Sequence, residues 1–341
     1  MYMDKNKELP MQGYFDVLEN IKKHIVNSQY QMMSKANVER NTLYWNIGKV
    51  IAEYSVWGNK FVENLSRDLR IEYPESTGYT VRNLNYMKQF YLRVPDEEIL
   101  HQMGAKISWK AIKILLDKTE DTEEHLWYTS QCIENGWSSS VLTHQIEGKL
   151  YSRQALAVKT TNFKELLEQP LGEQAEEIIK DPYVFDFIPS VGKLKEKELE
   201  DAMVQQITKV LMEFGTGFAF MGRQYPLKVG EREFFIDLLF YNVKLHCYFV
   251  VELKTVEFEP EFAGKLSFYL SAIDGELRAP TDNPTIGLLL CKGKDRIVAE
   301  YALKDVNKPM GISEYVLSNE ISAELQKNLP AIEDIEKRIN L

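Results

Sequence analysis

Two hydrophobic patterns divide the chain. In the first half, apolar residues recur every three or four positions, which is the period of an amphipathic helix. After a helix at 199–214, short apolar runs with strand spacing alternate with helical segments, which is typical of a sheet with helices on both faces. The pattern predicts an all-α N-terminal domain over 1–158, a connector over 159–192 and an α/β domain over 193–341.

The predicted helices of the first half have recognisable ends. Asn135-Gly136 is typical of a left-handed helix end, and Ser138 is typical of a helix start. Two helices joined by so short a turn have the outline of a helix-turn-helix. All five tryptophans lie between Trp45 and Trp137, which predicts one aromatic-rich core. The predicted helices cover 14–31, 35–54, 61–73, 80–92, 122–134 and 138–154.

The second half reads as a mixed sheet flanked by helices. The connector before it is rich in proline and glycine, and a charged run at 193–198 follows it. The predicted strands cover 218–225, 233–241, 245–253, 285–291 and 311–317. The predicted helices cover 199–214, 260–272, 296–304 and 319–329.

Composition narrows the class of protein. The chain has 341 residues and a net charge of −10. This charge argues against non-specific binding of nucleic acid over the whole surface, but it is compatible with a local nucleic-acid site. No stretch approaches the 18 apolar residues of a membrane span, and no apolar signal core marks the N-terminus for export. Three separated cysteines predict buried thiols rather than disulfides. We therefore expect a cytoplasmic protein without membrane contact.

Charged residues stand inside two apolar strands. Asp237 interrupts a run of Phe, Ile and Leu, and Glu252 and Lys254 end a Val-rich strand. An unpaired buried charge costs several kcal/mol, so each must be paired, hydrogen-bonded or bound to metal. Because side chains alternate faces along a strand, Glu252 and Lys254 point the same way. On adjacent strands of a hairpin, Asp237 and Glu252 can meet across one face.

This arrangement suits a divalent cation. The carboxylates of Asp237 and Glu252, the Leu253 carbonyl and water are the hard oxygen ligands that Mg²⁺ or Mn²⁺ prefers. Lys254 would then orient an attacking water or offset developing negative charge. Glu200 adds a fourth charge, since it shares a helical stripe with apolar residues. It could bind metal through water, bind a second metal or orient Lys254.

A simpler interpretation stays open at this point. Asp237, Glu252 and Lys254 could form an ion-paired hairpin with no chemical role. The Glu-x-Lys pattern also occurs at Glu147-Gly148-Lys149, inside a predicted helix, so the three-letter pattern alone is weak evidence. The apolar setting and the flanking helices favour a site.

Seven wider motifs accompany these charges: 44–48 (YWNIG), 133–138 (IENGWS), 180–187 (KDPYVFDF), 217–224 (GFAFMGRQ), 235–241 (FIDLLFY), 251–254 (VELK) and 260–272 (PEFAGKLSFYLSA). Together they resemble one family, the YhcG-like PD-(D/E)XK nucleases. The resemblance covers nearly the whole chain, and it implies a restriction-endonuclease-like domain behind a helical domain. It also implies a nuclease, and the oxygen ligands described above favour Mg²⁺ as cofactor, replaceable by Mn²⁺. Ile236 stands where the superfamily pattern has proline, while the carboxylates and the lysine are intact.

Other residues are candidates for contact with substrate. Lys265 and Tyr269 are four apart on the helix after the Glu-x-Lys strand, so they share a face. Similar nucleases place such a pair near the metal or the DNA backbone, although a solvated lysine beside a core tyrosine is the plainer alternative. Arg223 and Gln224 end the first strand and could contact phosphate or simply lie at the surface.

The helical domain offers two polar stripes. One holds Arg82 and Gln89, together with Tyr86 and Arg93, and the other holds Gln145, Lys149 and Arg153, all expected to be exposed. Arginine and glutamine read base edges, and lysine contacts phosphates. The plainer alternative is the solvated face of a helical bundle.

The sequence therefore predicts a Mg²⁺-dependent DNA endonuclease whose helical half binds DNA or a protein partner. Paired cuts would favour a homodimer. Two alternatives stay open: a non-enzymatic nucleic-acid-binding or assembly protein with a nuclease fold, and a nuclease acting on RNA or branched DNA.

Overall fold

The computed structural model describes residues 11–54, 60–101, 106–189 and 195–318, and the chain divides into two compact units, Met1–Ile146 and Glu147–Leu341. The first unit is helical in its described part, as predicted. Its helices are α1 (Met11–Tyr54), α2 (Phe61–Glu72), α3 (Val81–Arg93), α4 (Glu97–Ile99), α5 (Trp109–Lys118), α6 (Thr122–Asn135) and α7 (Ser139–Glu147), of which α7 ends at the unit boundary.

Helix α1, with 44 residues, is the longest helix described in the first unit, and it packs against α3. The sequence predicted two helices here, but residues 32–34 contain no helix breaker and the helix continues through them. The approach to α3 is close at Gly48, where an added Cβ would collide with the Met87 carbonyl. The Trp45 indole donates to the Val94 carbonyl at 2.6 Å and the Trp109 indole donates to Asn83 at 2.8 Å. Trp57 lies outside the described residues.

Helix α5 was missed by the sequence analysis. Its signals were present: the Ser108 side chain accepts a hydrogen bond from the Ala111 amide, and apolar residues follow at helical spacing. The predicted helix-turn-helix outline is present in α6 and α7. Gly136 joins them with a left-handed φ of 62°, and the Ser138 hydroxyl accepts from the Val141 amide.

The predicted helix 138–154 is wrong as a single element. It breaks at Lys149, whose φ of 52° places it in the left-handed region, and a short helix α8 (Leu150–Gln154) follows. A left-handed residue cannot continue a right-handed helix, so the predicted helix is interrupted at Lys149.

The second unit is built on a mixed sheet. Within the described residues seven strands lie in the order β1-β7-β6-β5-β4-β3, with β2 paired to β7. Strands β5, β6 and β7 run parallel, and β3, β4 and β5 form an antiparallel meander. The strands are β1 (Thr160–Thr161), β2 (Tyr183–Phe185), β3 (Phe218–Val229), β4 (Arg232–Asn242), β5 (Cys247–Leu253), β6 (Ile286–Cys291) and β7 (Met310–Leu317). The remaining helices are α9 (Phe163–Leu166), α10 (Leu171–Ile178), α11 (Glu196–Gln205), α12 (Ile207–Phe214), α13 (Pro260–Glu276) and α14 (Arg296–Lys304).

The two faces of the sheet carry separate cores. Alternate strand residues such as Val251 and Leu253 face α11 and α12, whereas Val250 faces α13 and α14. The first core also takes in side chains from the described part of 159–192, the segment predicted as a connector. Phe163, for example, is fully buried. This segment folds against the sheet through β1, β2, α9 and α10.

Two predicted helices differ in extent. The helix predicted at 199–214 begins earlier, at Glu196, and is divided at Gln206 into α11 and α12. Gln206 has a φ of −112° and a ψ of 31°, outside the helical region. The helix predicted at 319–329 lies outside the described residues. Among the described residues, no helix is both long and apolar enough to cross a membrane.

A buried charge network joins α8 to α12. Arg153 donates to Glu213 Oε1 at 2.5 Å, and Lys180 lies 3.9 Å from Glu213 Oε2. Burial alone would raise the pKa of Glu213, but the charges of Arg153 and Lys180 and the Val184 amide bond outweigh it and lower that pKa. Burial lowers the pKa of Lys180 to about 8. The network is a structural one, because all three side chains are almost wholly buried.

We predict that Arg153→Met lowers the free energy of unfolding by about 3–5 kcal/mol, because it leaves the Glu213 carboxylate buried without its main partner. Urea denaturation at neutral pH measures the change. Arg296→Met is the matched control, since Arg296 forms an exposed pair with Glu300 and its loss should cost less than about 1 kcal/mol. Equal effects of the two substitutions would contradict the prediction.

Candidate metal-binding and catalytic site

The register of the β4–β5 hairpin brings two carboxylates together. Leu238 pairs with Val251, so Asp237 and Glu252, one position further along, lie directly across from each other. The Leu253 amide donates to Asp237 Oδ2 at 2.9 Å and fixes that carboxylate. Side-chain alternation directs Glu252, like Val250, to the sheet face covered by α13.

Glu252 is fully buried and only half satisfied. Its Oε1 accepts from Lys254 Nζ at 2.9 Å and from Lys265 Nζ. Its Oε2 is buried and finds no hydrogen-bond partner among the described residues. A buried carboxylate oxygen without a hydrogen-bond donor raises the free energy of the folded state, and a ligand that supplies positive charge would remove that cost.

The residues present fit a divalent cation. Burial and the negative charge of Glu252 raise the pKa of Asp237 to about 6, and a cation between the two carboxylates would remove that repulsion. The described part of the chain contains no group of three or more His, Cys, Asp or Glu side chains placed to hold a metal. The candidate protein ligands are the two carboxylates of Asp237 and Glu252 and the Leu253 carbonyl, and water would complete the shell.

Lys254 lies at the centre of this cluster and is 5% exposed. Its ammonium group donates to Glu252 Oε1 and to the Leu253 carbonyl at 3.0 Å, and it lies 5.3 Å from the centre of the Phe262 ring. A third contact, at 3.4 Å, goes to Glu196 Oε2 on α11. Among the acidic residues of α11, the described hydrogen bonds of Lys254 include Glu196 but not Glu200.

Glu196 was missed by the sequence analysis. Its signal was the spacing: Glu196 and Glu200 are four residues apart, so both lie on one face of α11. The helix predicted from the sequence begins at residue 199, so Glu196 lies outside it.

Glu200 joins the site through Gln224. Glu200 is 4% exposed, and burial is the main cause that raises its pKa. Gln224 Nε2 donates to Glu200 Oε2 at 2.5 Å and to Asp237 Oδ1 at 3.3 Å. One neutral amide therefore links the carboxylate from α11 with the carboxylate from β4.

Lys265 and Tyr269 extend the cluster along α13. Lys265 Nζ lies 5.3 Å from the centre of the Tyr269 ring, so the two side chains share a face. Burial lowers the pKa of Lys265, but its bond to Glu252 outweighs burial and raises that pKa. The Lys265 side chain keeps 46% of its surface exposed, whereas Tyr269 is buried.

Arg223 lies next to the cluster but is engaged elsewhere. It pairs with Asp201 on α11, and both side chains are partly exposed. None of its described bonds goes to Asp237, Glu200 or Glu252.

The helical candidates have mixed surroundings. Arg82 is exposed, donates to the Tyr86 hydroxyl at 3.3 Å and stacks on that ring. Tyr86 in turn donates to Asp117 at 2.7 Å. Gln89 is exposed, and so is Lys149 at the break between α7 and α8.

Part of the second polar stripe is buried. Gln145 is 4% exposed and Arg153 is 7% exposed, so the expected exposure of these two residues is wrong. For Arg153 the physical reason is the helix break at Lys149, which ends the helical spacing from which its exposure was inferred. Arg153 then turns toward Glu213, where its charge is neutralised.

Comparisons with known proteins agree with this architecture. Residues 176–330 match the family described as YhcG PDDEXK nuclease domain, and residues 20–153 match the DUF1016 N-terminal domain. The chain is 25% identical over 349 residues to the "Putative nuclease YhcG" of Escherichia coli (strain K12), and the match covers 92% of each protein.

A solved structure, a repair endonuclease from Pyrococcus abyssi, is also similar. It is 16% identical and covers 37% of this chain and 48% of its own, with a TM-score of 0.26. At that score the likeness carries no argument about the site.

The raised pKa of Asp237 predicts pH-dependent stability in the metal-free protein. The pKa of Asp237 is about 6 in the folded state and ordinarily 3.8. Between these two pH values the folded state therefore binds more protons than the unfolded state. Stability should therefore fall as pH rises through this range. Asp237→Asn removes the charge, so its melting temperature in EDTA should exceed that of the wild type near pH 7.5 and approach it near about pH 4. Asp305→Asn, at an exposed position, is the control. A difference independent of pH would contradict the prediction.

Proposed function

Because the chain belongs to the YhcG-like family of PD-(D/E)XK nucleases, we propose that it is a metal-dependent DNA endonuclease acting through Glu200, Asp237, Glu252 and Lys254. One observation carries the proposal. The buried Glu252 Oε2 lacks a donor directly beside Asp237, whose own pKa is raised by the same crowding. A purely structural ion-paired hairpin would be expected to satisfy that oxygen.

Mg²⁺ is the proposed cofactor, held by Asp237, Glu252 and the Leu253 carbonyl, and Mn²⁺ is expected to replace it. When bound, such a cation polarises the scissile phosphate and makes water a better nucleophile at neutral pH. Its positive charge also lets a phosphate approach a chain whose net charge is −10.

The two lysines have different proposed roles because their exposure differs. Lys254 is nearly buried and held by Glu252, Glu196 and the Leu253 carbonyl, so its ammonium is fixed where it offsets charge developing on the phosphate. Lys265 is half exposed, so it can exchange its bond to Glu252 for one to a phosphate oxygen. Tyr269 supports the Lys265 side chain from the same helical face.

Substrate contact is proposed at the exposed polar residues. Arg223 flanks the cluster and could leave Asp201 for a phosphate. In the helical unit, Arg82 and Gln89 are exposed on α3, and Lys149 is exposed after α7. The proposed products are 5′-phosphate and 3′-hydroxyl ends, as the family resemblance implies: water attacks phosphorus and the 3′ oxygen leaves.

We expect Asp237→Ala, Glu252→Ala and Lys254→Ala each to reduce Mg²⁺-dependent cleavage by about 100-fold or more, because each removes a metal ligand or the charge that offsets the transition state. Nicking of plasmid and cleavage of an end-labelled duplex measure the rate. Circular dichroism and melting temperature report whether the variants stay folded. Glu276→Ala and Lys228→Ala, at exposed positions, are the matched controls and should cleave like the wild type.

The same experiment separates the alternatives. Wild-type cleavage by Asp237→Ala, or cleavage that persists in EDTA, would refute the proposed site. A protein that binds DNA equally with and without EDTA and yields no product is a non-enzymatic binder. Single-stranded RNA and four-way DNA junctions, run beside the duplex, identify a preference for those substrates.

A further inference from the structure

Strand β3 is irregular where it passes the carboxylates. Its register shifts between Phe220 and Gly222, and Gln224 has a φ of 41°. The left-handed region is unfavourable for a residue with a Cβ. The positions on either side stay regular, with Arg223 opposite Leu238 and Tyr225 opposite Ile236. Such local strain persists only where the surrounding structure imposes it, and it concentrates at functional sites.

The strained backbone has a specific consequence for the Gln224 side chain. It places the amide nitrogen 2.5 Å from Glu200 Oε2 and 3.3 Å from Asp237 Oδ1. These two carboxylates come from α11 and β4, and Glu200 has no other hydrogen bond described in the structure. Glu200 is also nearly buried, so the amide is what satisfies it.

The chemistry of the amide matters as much as its position. It donates two protons and adds no charge. An arginine or lysine at position 224 would pair with the same carboxylates as a resident cation and would compete with a bound metal. The neighbouring Arg223 avoids this conflict, because its guanidinium pairs with Asp201 instead.

We infer that Gln224 is a positioning residue, whose amide orients Glu200 and Asp237 for the metal. The inference rests on the proposed function, since it concerns the same site. It replaces a role for Gln224 in contacting substrate with a role in holding the carboxylates. Residues that orient metal ligands typically contribute 10–100-fold to metal affinity or activity.

Mn²⁺ binding by the full-length chain tests the inference. Isothermal titration should give a dissociation constant 10–100-fold higher for Gln224→Met, which keeps the side-chain length and loses the amide. Gln205→Met, the same substitution at an exposed position on α11, should bind like the wild type. Gln224→Asn keeps an amide and tolerates the left-handed φ, so it should recover part of the affinity.

A comparison of Gln224→Ala with Gln224→Gly separates positioning from backbone strain. Both lose the amide, but only glycine relaxes the left-handed φ, so Gly should melt above Ala in EDTA. Their Mn²⁺ affinities should nevertheless be equally reduced. Wild-type affinity in Gln224→Met, or affinity that follows melting temperature across the variants, would overturn the inference.

Cleavage assays keep this test distinct from the test of the proposed function. If Asp237→Ala is inactive and Gln224→Met binds Mn²⁺ like the wild type, the proposed function stands and the positioning role is lost. If the wild type cleaves no nucleic acid, the function fails while the Mn²⁺ titrations still decide the role of Gln224.

Discussion

Direct opposition of Asp237 and Glu252 across the β4–β5 hairpin is the constraint on which the rest of the site depends. The two carboxylates repel each other, and the full burial of Glu252 limits the screening of that repulsion by water. The surrounding groups compensate in different ways. The Leu253 amide and the Gln224 amide bond Asp237, and Lys254 and Lys265 neutralise one oxygen of Glu252. The second oxygen of Glu252 has no hydrogen-bond partner among the described residues, and this is the observation behind the proposed cation site.

The sheet makes this arrangement rigid. Strand β5 lies between the antiparallel β4 and the parallel β6, and both faces of the sheet carry packed cores. The Lys254 amide donates to the Leu290 carbonyl at 2.8 Å, so the backbone stays bonded one residue beyond the end of β5. The compensating side chains come from three places on this frame: Gln224 from β3, Lys254 from the end of β5 and Lys265 from α13. Precise placement of charged groups is possible because the elements that carry them cannot move independently.

Polar residues of the helical segments show how misleading residue type alone can be. Arg153 and Lys149 are both cationic and lie in one polar stripe of the sequence, yet Arg153 is buried against Glu213 and Lys149 is exposed. The left-handed backbone at Lys149 interrupts the helix between them, so the two side chains no longer share one helical face. Arg82 keeps its exposure while it stacks on Tyr86, which leaves its guanidinium partly free for other acceptors.

Strands β3 to β7, the helical first half and the clustering of Asp237, Glu252 and Lys254 were predictable from the sequence. These features follow from local periodicity, in which alternate strand residues share a face, and from the cost of charge in apolar runs. Glu196, the bridging role of Gln224 and the burial of Arg153 were not predictable. They depend on a helix boundary, a left-handed residue within a strand and a helix break, which long-range packing imposes against local preference. Local patterns therefore identify which charges need partners, whereas only the folded chain selects the partners, because those come from elements distant in sequence.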